Sequence, residues 1–253
     1  MGRAGPCAAP ALPRPAALAL ALLGAFGQPL AAQEIVSARY AGPTDRYPHA
    51  VLGDAIEHDT LEVALSDGTR RAVTWPAPLV FEDTAPRLAD LDGDGAPEVI
   101  VVESHERQGA RLAIWGLDGG RLAQRAATPF IGTRFRWLAP LGAADLDGDG
   151  AVEIAWVDRP HLARVLRVWR YVPAEGGARL VPVAAAEGHT NHRIGERDIA
   201  GGIRDCGAGP EIVTASADWA RLQATRLEGG KLVTGEIGPH EGRQSFAAAL
   251  ACR

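Results

Sequence analysis

Twelve residues of closely similar sequence occur twice in this chain, as Leu-Ala-Asp-Leu-Asp-Gly-Asp-Gly-Ala-Pro-Glu-Val at residues 88–99 and as Ala-Ala-Asp-Leu-Asp-Gly-Asp-Gly-Ala-Val-Glu-Ile at residues 143–154. Each copy places carboxylates at loop positions 1, 3, 5 and 9 and a backbone carbonyl at position 7. The predicted ligand atoms belong to Asp90, Asp92, Asp94, Ala96 and Glu98 in the first copy and to Asp145, Asp147, Asp149, Ala151 and Glu153 in the second.

Such a spacing of carboxylates is typical of a site for a hard divalent cation. Four negative charges within nine residues repel one another, and Ca²⁺, which takes 6–8 oxygen ligands at about 2.3–2.6 Å, neutralises them. Mg²⁺ fits less well, because it requires a tight octahedron and retains its water ligands. The sequence therefore predicts two calcium ions with a structural role. The alternative is an acidic, glycine-rich turn that binds no ion.

An EF-hand loop also begins Asp-x-Asp-x-Asp-Gly, but it needs a glutamate at position 12 and a helix on each side. Position 12 is Val101 in the first copy and Trp156 in the second. The loops are followed by Glu-Val-Ile-Val-Val and Glu-Ile-Ala-Trp-Val, whose β-branched and aromatic residues indicate strands. The loops are therefore predicted to connect two strands.

A strand, then Asp-x-Asp-x-Asp-Gly-x-x-Asp/Glu, then a second strand resembles the FG-GAP/VCBS repeats of integrin-α-like β-propellers. Two further copies begin at residues 54 and 203, and the four loop starts are separated by 36, 55 and 58 residues. The copy at 54 has Ile56 and His58 at ligand positions, and the copy at 203 begins with Ile203. We expect both degenerate copies to be free of metal.

The resemblance and the strand–turn–strand text between the loops predict an all-β fold, a small β-propeller of four to five four-stranded blades with calcium loops between strands. A strand is predicted immediately before Asp54, and residues 245–252 are predicted to form a closing strand. No segment shows a convincing helical period. Integrin-type propellers usually have seven blades, so an incomplete ring that a partner completes remains an alternative.

Residues 1–32 are interpreted as a secretory signal, with Arg3 and Arg14 before an apolar core and a small-residue cleavage site. Residues 33–253 form the predicted single domain, secreted or periplasmic and without a membrane span. Removing residues 1–32 changes the formal charge from −5 to −7, which argues against a nucleic acid partner. In an oxidising compartment Cys206 and Cys252 are expected to form a disulfide.

The motifs Gly-x-Ser-x-Gly, Gly-x-x-x-x-Gly-Lys-Ser/Thr and His-Glu-x-x-His are absent from the sequence. The polar segment 187–196, called the histidine loop below, is a candidate ligand site through His189, Asn191, His192 and Arg193, or else a structural seal. Two functions follow. The first is a non-catalytic binding or scaffold module for a protein, a polysaccharide or an acidic small ligand. The second is a hydrolase or lyase that uses the Asn191-His192-Arg193 cluster.

Overall fold

The computed structural model of the chain describes residues 1–3, 5 and 33–253. Residues 33–253 form one compact unit. The apolar core and cleavage site of the predicted signal peptide lie outside the described residues. Within the part of the chain that the structure describes, no helix is long and apolar enough to cross a membrane.

The described residues form seventeen strands and one helix. The strands of the first half are β1 Ile35–Thr44, β2 Glu57–Leu65, β3 Arg70–Thr74, β4 Leu79–Phe81, β5 Arg87–Ala89, β6 Glu98–His105, β7 Gly109–Asp118 and β8 Arg121–Ala127. The remaining elements are β9 Leu138–Ala144, β10 Glu153–Asp158, β11 Val165–Ala174, β12 Gly177–Glu187, β13 His189–Thr190, β14 Gly202–Asp205, β15 Pro210–Ser216, β16 Arg221–Glu228, β17 Lys231–Pro239 and α1 Arg243–Leu250.

The strands pair antiparallel in three sheets, which confirms the predicted all-β class. The first sheet has the order β1-β2-β4-β6-β7-β8, with β3 beside β2 and β5 beside β6. The second sheet is the meander β12-β11-β10-β9, and the third is β13-β15-β16-β17 with β14 beside β15. The predicted hairpins through Gly119-Gly120, Gly176-Gly177 and Gly229-Gly230 are present as β7–β8, β11–β12 and β16–β17.

The strands that follow the acidic loops lie in the interior of the protein. All six residues of β10 are buried, as are the first seven of the eight in β6. Both faces of these strands are covered, which explains why their sequences are continuous apolar runs and not an alternation. A loop attached to such a strand has a rigid base.

Neighbouring sheets pack face to face through two apolar clusters. Between the first and second sheets, the cluster includes Ile100, Leu112, Ile114, Trp137, Ile154 and Trp156. Between the second and third sheets, it includes Leu141, Val157, Leu166, Val168, Ile212 and Leu227. Three of the six tryptophans are therefore core residues, namely Trp115, Trp137 and Trp156.

The predicted closing strand at residues 245–252 is wrong, because this segment forms helix α1 and the turn after it. Its run of alanines favours a helix, since alanine has the highest helix propensity. Phe246 and Ala249 are three residues apart and both are buried against Val213, Ala215 and Leu222 of the third sheet. The helix covers the outer face of that sheet.

The strand predicted before Asp54 is also absent, since residues 45–56 contain no strand. Pro48 lacks an amide donor, and Ala50 and Gly53 have φ angles of 58° and 97°, which turn the chain. Instead, the carbonyl of Val51 accepts a hydrogen bond from the amide of Gly195 in the histidine loop. Strand β1, further upstream, pairs with β2 in its place.

Cys206 and Cys252 form the predicted disulfide, with their Cα atoms 5.6 Å apart. The bond joins the loop between β14 and β15 to the residues after α1, so it holds the helix on the third sheet. Because it closes 46 residues of chain, we expect the Cys206→Ser, Cys252→Ser variant to lose about 4 kcal/mol of unfolding free energy in the chain-entropy treatment. Urea unfolding with and without reductant measures this. An unchanged urea midpoint would contradict it.

Candidate metal centre

The first acidic loop, residues 90–98, connects β5 to β6 as the sequence predicts. Ala89 pairs with Glu98 at its base, so the loop leaves and re-enters the sheet on adjacent strands. Gly93 and Gly95 have φ angles of 77° and 90°, which side chains with a Cβ atom rarely adopt. These two glycines let the loop curl with its acidic side chains inward.

Three carboxylates of this loop converge. Oxygens of Asp90, Asp92 and Asp94 lie within 4.8 Å of one another. The Asp90 oxygens also accept hydrogen bonds from the amides of Gly93 and Gly95 at 2.8 and 3.0 Å. The convergence brings together the three aspartates that the spacing predicts as ligands.

Glu98, the fourth predicted carboxylate ligand, lies beneath this group. Its carboxylate is buried and accepts a hydrogen bond from the amide of Leu91 at 2.9 Å. Burial, with Asp92 and Asp94 nearby, raises the pKa of Glu98 to about 7. Burial and Asp94 also raise the pKa of Asp92. Within residues 33–253, no Arg or Lys side chain forms an ion pair with the carboxylates of this loop, so their mutual repulsion is not offset there.

The second acidic loop, residues 145–153, has the same backbone hydrogen bonds. Asp145 accepts from the amides of Gly148 and Gly150 at 2.8 and 2.9 Å, and Glu153 accepts from the amide of Leu146 at 2.9 Å. Oxygens of Asp145, Asp147 and Glu153 converge within 4.8 Å. The two loops thus share their backbone hydrogen bonds, but the converging group includes the third aspartate, Asp94, in the first loop and the glutamate, Glu153, in the second.

The second loop also has an arginine partner that the sequence analysis did not predict. The guanidinium of Arg170 contacts Asp147 at 2.9 Å, Asp149 at 2.7 Å and Glu153 at 2.5 Å. Burial raises the pKa of Glu153, and Arg170 opposes that increase. The second loop therefore carries a cation supplied by the protein.

Strand register explains the difference. Arg170 of β11 lies directly opposite Glu153 of β10. In the first sheet Val99 pairs with Trp115, so the residue opposite Glu98 is Gly116. The sequence signal was available in principle, since hairpin pairing alone determines which residue faces the glutamate.

In the degenerate fourth copy, two arginines pair with the corresponding glutamate. Glu211 is the second residue of β15 and forms ion pairs with Arg204 at 2.8 Å and with Arg226 at 2.6 Å. These arginines help to lower the pKa of Glu211, although burial acts in the opposite direction. Within the described residues, Asp205 is the remaining carboxylate of that loop, and it accepts the amide of Gly207 at 2.7 Å.

The histidine loop is buried at residues 189–192 and exposed at residues 193–195. His189, Asn191 and His192 are buried. His189 Nδ1 lies 2.9 Å from the Thr214 hydroxyl, the Asn191 amide donates to the Ala139 carbonyl at 3.2 Å, and His192 Nε2 lies 2.9 Å from the Glu196 carbonyl. Arg193 is exposed and lies over the ring of Trp219 at 4.3 Å. The four predicted ligand residues therefore face different surroundings.

Burial also determines the charge of these histidines. It lowers the pKa of His189 to about 4 and lowers the pKa of His192. A neutral imidazole is favoured because burial penalises the charged form. These side chains hold the loop through neutral hydrogen bonds.

Comparison with known families places a repeat on the acidic loops. A family model described as an FG-GAP-like repeat matches residues 90–156. The matched segment begins at the first ligand position of the first loop and includes the whole second loop. The chain therefore carries an FG-GAP-like repeat, and this repeat indicates a β-propeller-type binding module. No curated protein sequence matches the chain.

Burial of His189 is expected to make the stability of the fold depend on pH. His189 has a folded pKa near 4 against about 6.5 unfolded, so the unfolded state binds more protons between these values. The contribution of His189 to the unfolding free energy is complete above about pH 6.5 and falls by about 3 kcal/mol as the pH decreases to 4. The His189→Asn variant keeps a polar partner for Thr214 and should lose less stability than the wild type over that range. Equal loss of unfolding free energy in both proteins would contradict this.

Proposed function

We propose that this protein is an exported, calcium-binding β-propeller that acts as a non-catalytic binding or scaffold module. The observation that carries the proposal is the first acidic loop. It gathers three aspartate carboxylates above a buried glutamate and has no ion-pair partner in the described residues. Burial, together with the nearby Asp92 and Asp94, raises the pKa of Glu98, and a bound cation would favour its ionised form.

The donor set suits Ca²⁺. It consists of oxygen atoms only, from Asp90, Asp92, Asp94 and Glu98, with the Ala96 carbonyl as the fifth predicted ligand. Bound there, calcium would cross-link a loop that is attached to the buried strand β6. The ion would act on the stability of the fold, since all of these ligands come from one short loop.

The second acidic loop is proposed as a weaker calcium site. Its ligands would be Asp145, Asp147, Asp149, Ala151 and Glu153. A calcium ion must displace or tolerate the Arg170 guanidinium, which already neutralises part of the charge. A single positive charge about 4 Å from a divalent ion costs about 2–8 kcal/mol at dielectric constants between about 80 and 20.

The packing of successive sheets supports the propeller. In the proposed propeller, β5–β8, β9–β12 and β14–β17 would each be a blade, and β1–β3 would be the first. Strand β4 joins the first two units into one eight-stranded sheet, which departs from the predicted separate four-stranded blades. The disulfide and the pattern of residues 1–32 support export, because such bonds persist in oxidising compartments. The partner would be a protein, a polysaccharide or an acidic small ligand.

The alternative of a hydrolase or lyase using Asn191, His192 and Arg193 gains no support from their placement. Asn191 and His192 are buried and bond to main-chain carbonyls, whereas Arg193 stacks on a surface tryptophan. A catalytic group must reach a substrate atom, directly or through one water molecule.

Calcium is expected to raise the melting temperature. At free calcium 100 times the dissociation constant, one site adds about 2.7 kcal/mol, which is about 5–10 °C for a domain of this size. Asp92→Ala should remove the first-loop share of that rise and leave melting in chelator nearly unchanged. Asp147→Ala should lower melting in both conditions, because Asp147 also pairs with Arg170. Scanning calorimetry in calcium, magnesium and chelator measures this. Identical wild-type melting in calcium and chelator would contradict the proposal.

The calcium affinities of the two loops should change in opposite directions when the residues that face Glu153 and Glu98 are changed. Arg170→Ala should tighten calcium binding at the second loop about tenfold or more, and Gly116→Arg should weaken binding at the first loop by a similar factor. Gly116 is buried, and a Cβ atom there would lie 3.2 Å from Cγ of Arg125 and 3.4 Å from Cγ of Glu98, so these side chains must shift by a few tenths of an Å.

Isothermal titration calorimetry with calcium measures both affinities. Arg167→Ala is the matched control, since Arg167 lies on the same strand but contacts Asp158. The unequal-loop prediction fails if Arg170→Ala leaves the second-site affinity unchanged.

A further inference from the structure

A cavity of about 390 Å³ lies at the end of the sheets remote from the acidic loops. Arg159 and His161, which line it, follow the last residue of β10, whereas the second acidic loop ends at the first residue of that strand. A six-residue strand separates the two by roughly 17–20 Å. The cavity volume lies in the range of sites for small molecules.

The cavity has an apolar body. Its lining includes Val51, Phe135, Trp137, Leu162 and Ile194. Leu162 and Ile194 are 63% and 72% exposed, and they lie in connections between strands. Exposed apolar side chains at the mouth of a cavity are the kind that a ligand covers. Ile194 belongs to the histidine loop, so that loop borders the cavity although its histidines are buried.

His161 lines the cavity, and the hydrogen bonds of its ring and of the His192 ring determine the tautomer of both. His192 Nε2 must donate to the Glu196 carbonyl, since a carbonyl only accepts. In a neutral ring His192 Nδ1 is then an acceptor, so His161 Nε2, 3.0 Å away, donates to it. Burial lowers the pKa of His161 to about 4, which keeps this ring neutral. His161 Nδ1 is therefore left as an acceptor.

Two arginines also line the cavity, Arg136 and Arg159. Arg136 donates a hydrogen bond to the Phe135 carbonyl at 3.1 Å and has no carboxylate partner among the described residues. Arg159 is held by Asp158 through two bonds of 2.8 and 2.9 Å. The Arg136 fork is thus the group available for an anion, and it suits a carboxylate.

His49 is a further lining residue of the cavity. Its Nδ1 atom bonds the fully buried carboxylate of Glu82, which also accepts from the hydroxyl of Ser104. The ring stacks on Phe135 with centroids 5.0 Å apart. The main-chain carbonyl of Glu82 accepts the indole N–H of Trp137 at 2.8 Å. These contacts hold both aromatic walls in place before any ligand arrives.

We propose that this cavity binds a small hydroxylated ring acid. The carboxylate pairs with Arg136, the ring fills the apolar body, and a ring hydroxyl donates to His161 Nδ1. The inference deepens the proposed binding function, on which it rests, by naming the chemistry of the ligand. On a chain of net charge −5, a cavity mouth with an unpaired arginine is the place where an anion is favoured.

The test titrates the calcium-loaded full chain with 4-hydroxybenzoate and, separately, with glucuronate, because a phenolic acid and an acidic sugar share this chemistry. Isothermal titration calorimetry is expected to show binding of at least one probe with a dissociation constant below about 1 mM. Arg136→Gln should weaken that probe at least tenfold. The matched control Arg121→Gln changes an exposed arginine at the start of β8 and should have no effect.

His161→Phe tests the hydroxyl contact. It keeps a ring beside Trp137, so it should weaken 4-hydroxybenzoate about fivefold or more and leave benzoate unchanged. If glucuronate is the probe that binds, weaker glucuronate binding to the His161→Phe variant replaces the comparison of 4-hydroxybenzoate with benzoate. Calorimetric melting of each variant verifies that the fold is intact.

No binding of either probe to a protein that still shows the calcium-dependent melting shift would overturn this inference and leave the proposed function standing. Binding that is insensitive to Arg136→Gln would also overturn it. Loss of the calcium shift with retained, Arg136-dependent probe binding would instead overturn the calcium proposal and support the cavity.

Discussion

A buried glutamate at the head of a central strand is the constraint on which this structure depends. Glu98 and Glu153 each accept the amide of a leucine in the loop before them, and this bond ties loop to strand. A carboxylate that loses water needs a partner, because burying an unpaired charge is costly. Glu211 has Arg204 and Arg226, and Glu153 has Arg170. Among these three glutamates, Glu98 lacks such a partner in the described residues, and a bound cation would take that role.

The same strands connect the loops to the core. Because β6 and β10 are buried along nearly their whole length, the position of each acidic loop is determined by the packing of entire sheets. The third sheet is covered by α1, which the disulfide retains. Rigid strands with loops at both ends allow two separate chemistries, with carboxylates at one end and the cavity of Arg136 and His161 at the other. Loops on a rigid scaffold are where proteins commonly place binding groups.

The sequence by itself determined what depends on local pattern. Aspartates at alternate positions, glycines that take positive φ and β-branched runs after each loop specified two strand-linked acidic loops and an all-β fold. Cys206 and Cys252 are the two cysteines that follow the predicted signal peptide, and this specified the disulfide. The helix at Arg243–Leu250 replaces the predicted closing strand, although its alanines are a local signal that favours a helix.

Only the tertiary structure decided which charges meet. Arg170 faces Glu153 and Gly116 faces Glu98 because hairpin register brings together residues seventeen or more positions apart, so two loops of nearly equal sequence have unequal electrostatics. The cavity likewise combines His49, Arg136 and His161 from three connections that no sequence motif joins. Burial of His189 and His192 was equally invisible in the sequence, since a polar loop becomes interior only when the sheets around it close over it. Local spacing determines a residue's neighbours along the chain, whereas packing determines its charge partners and its access to water.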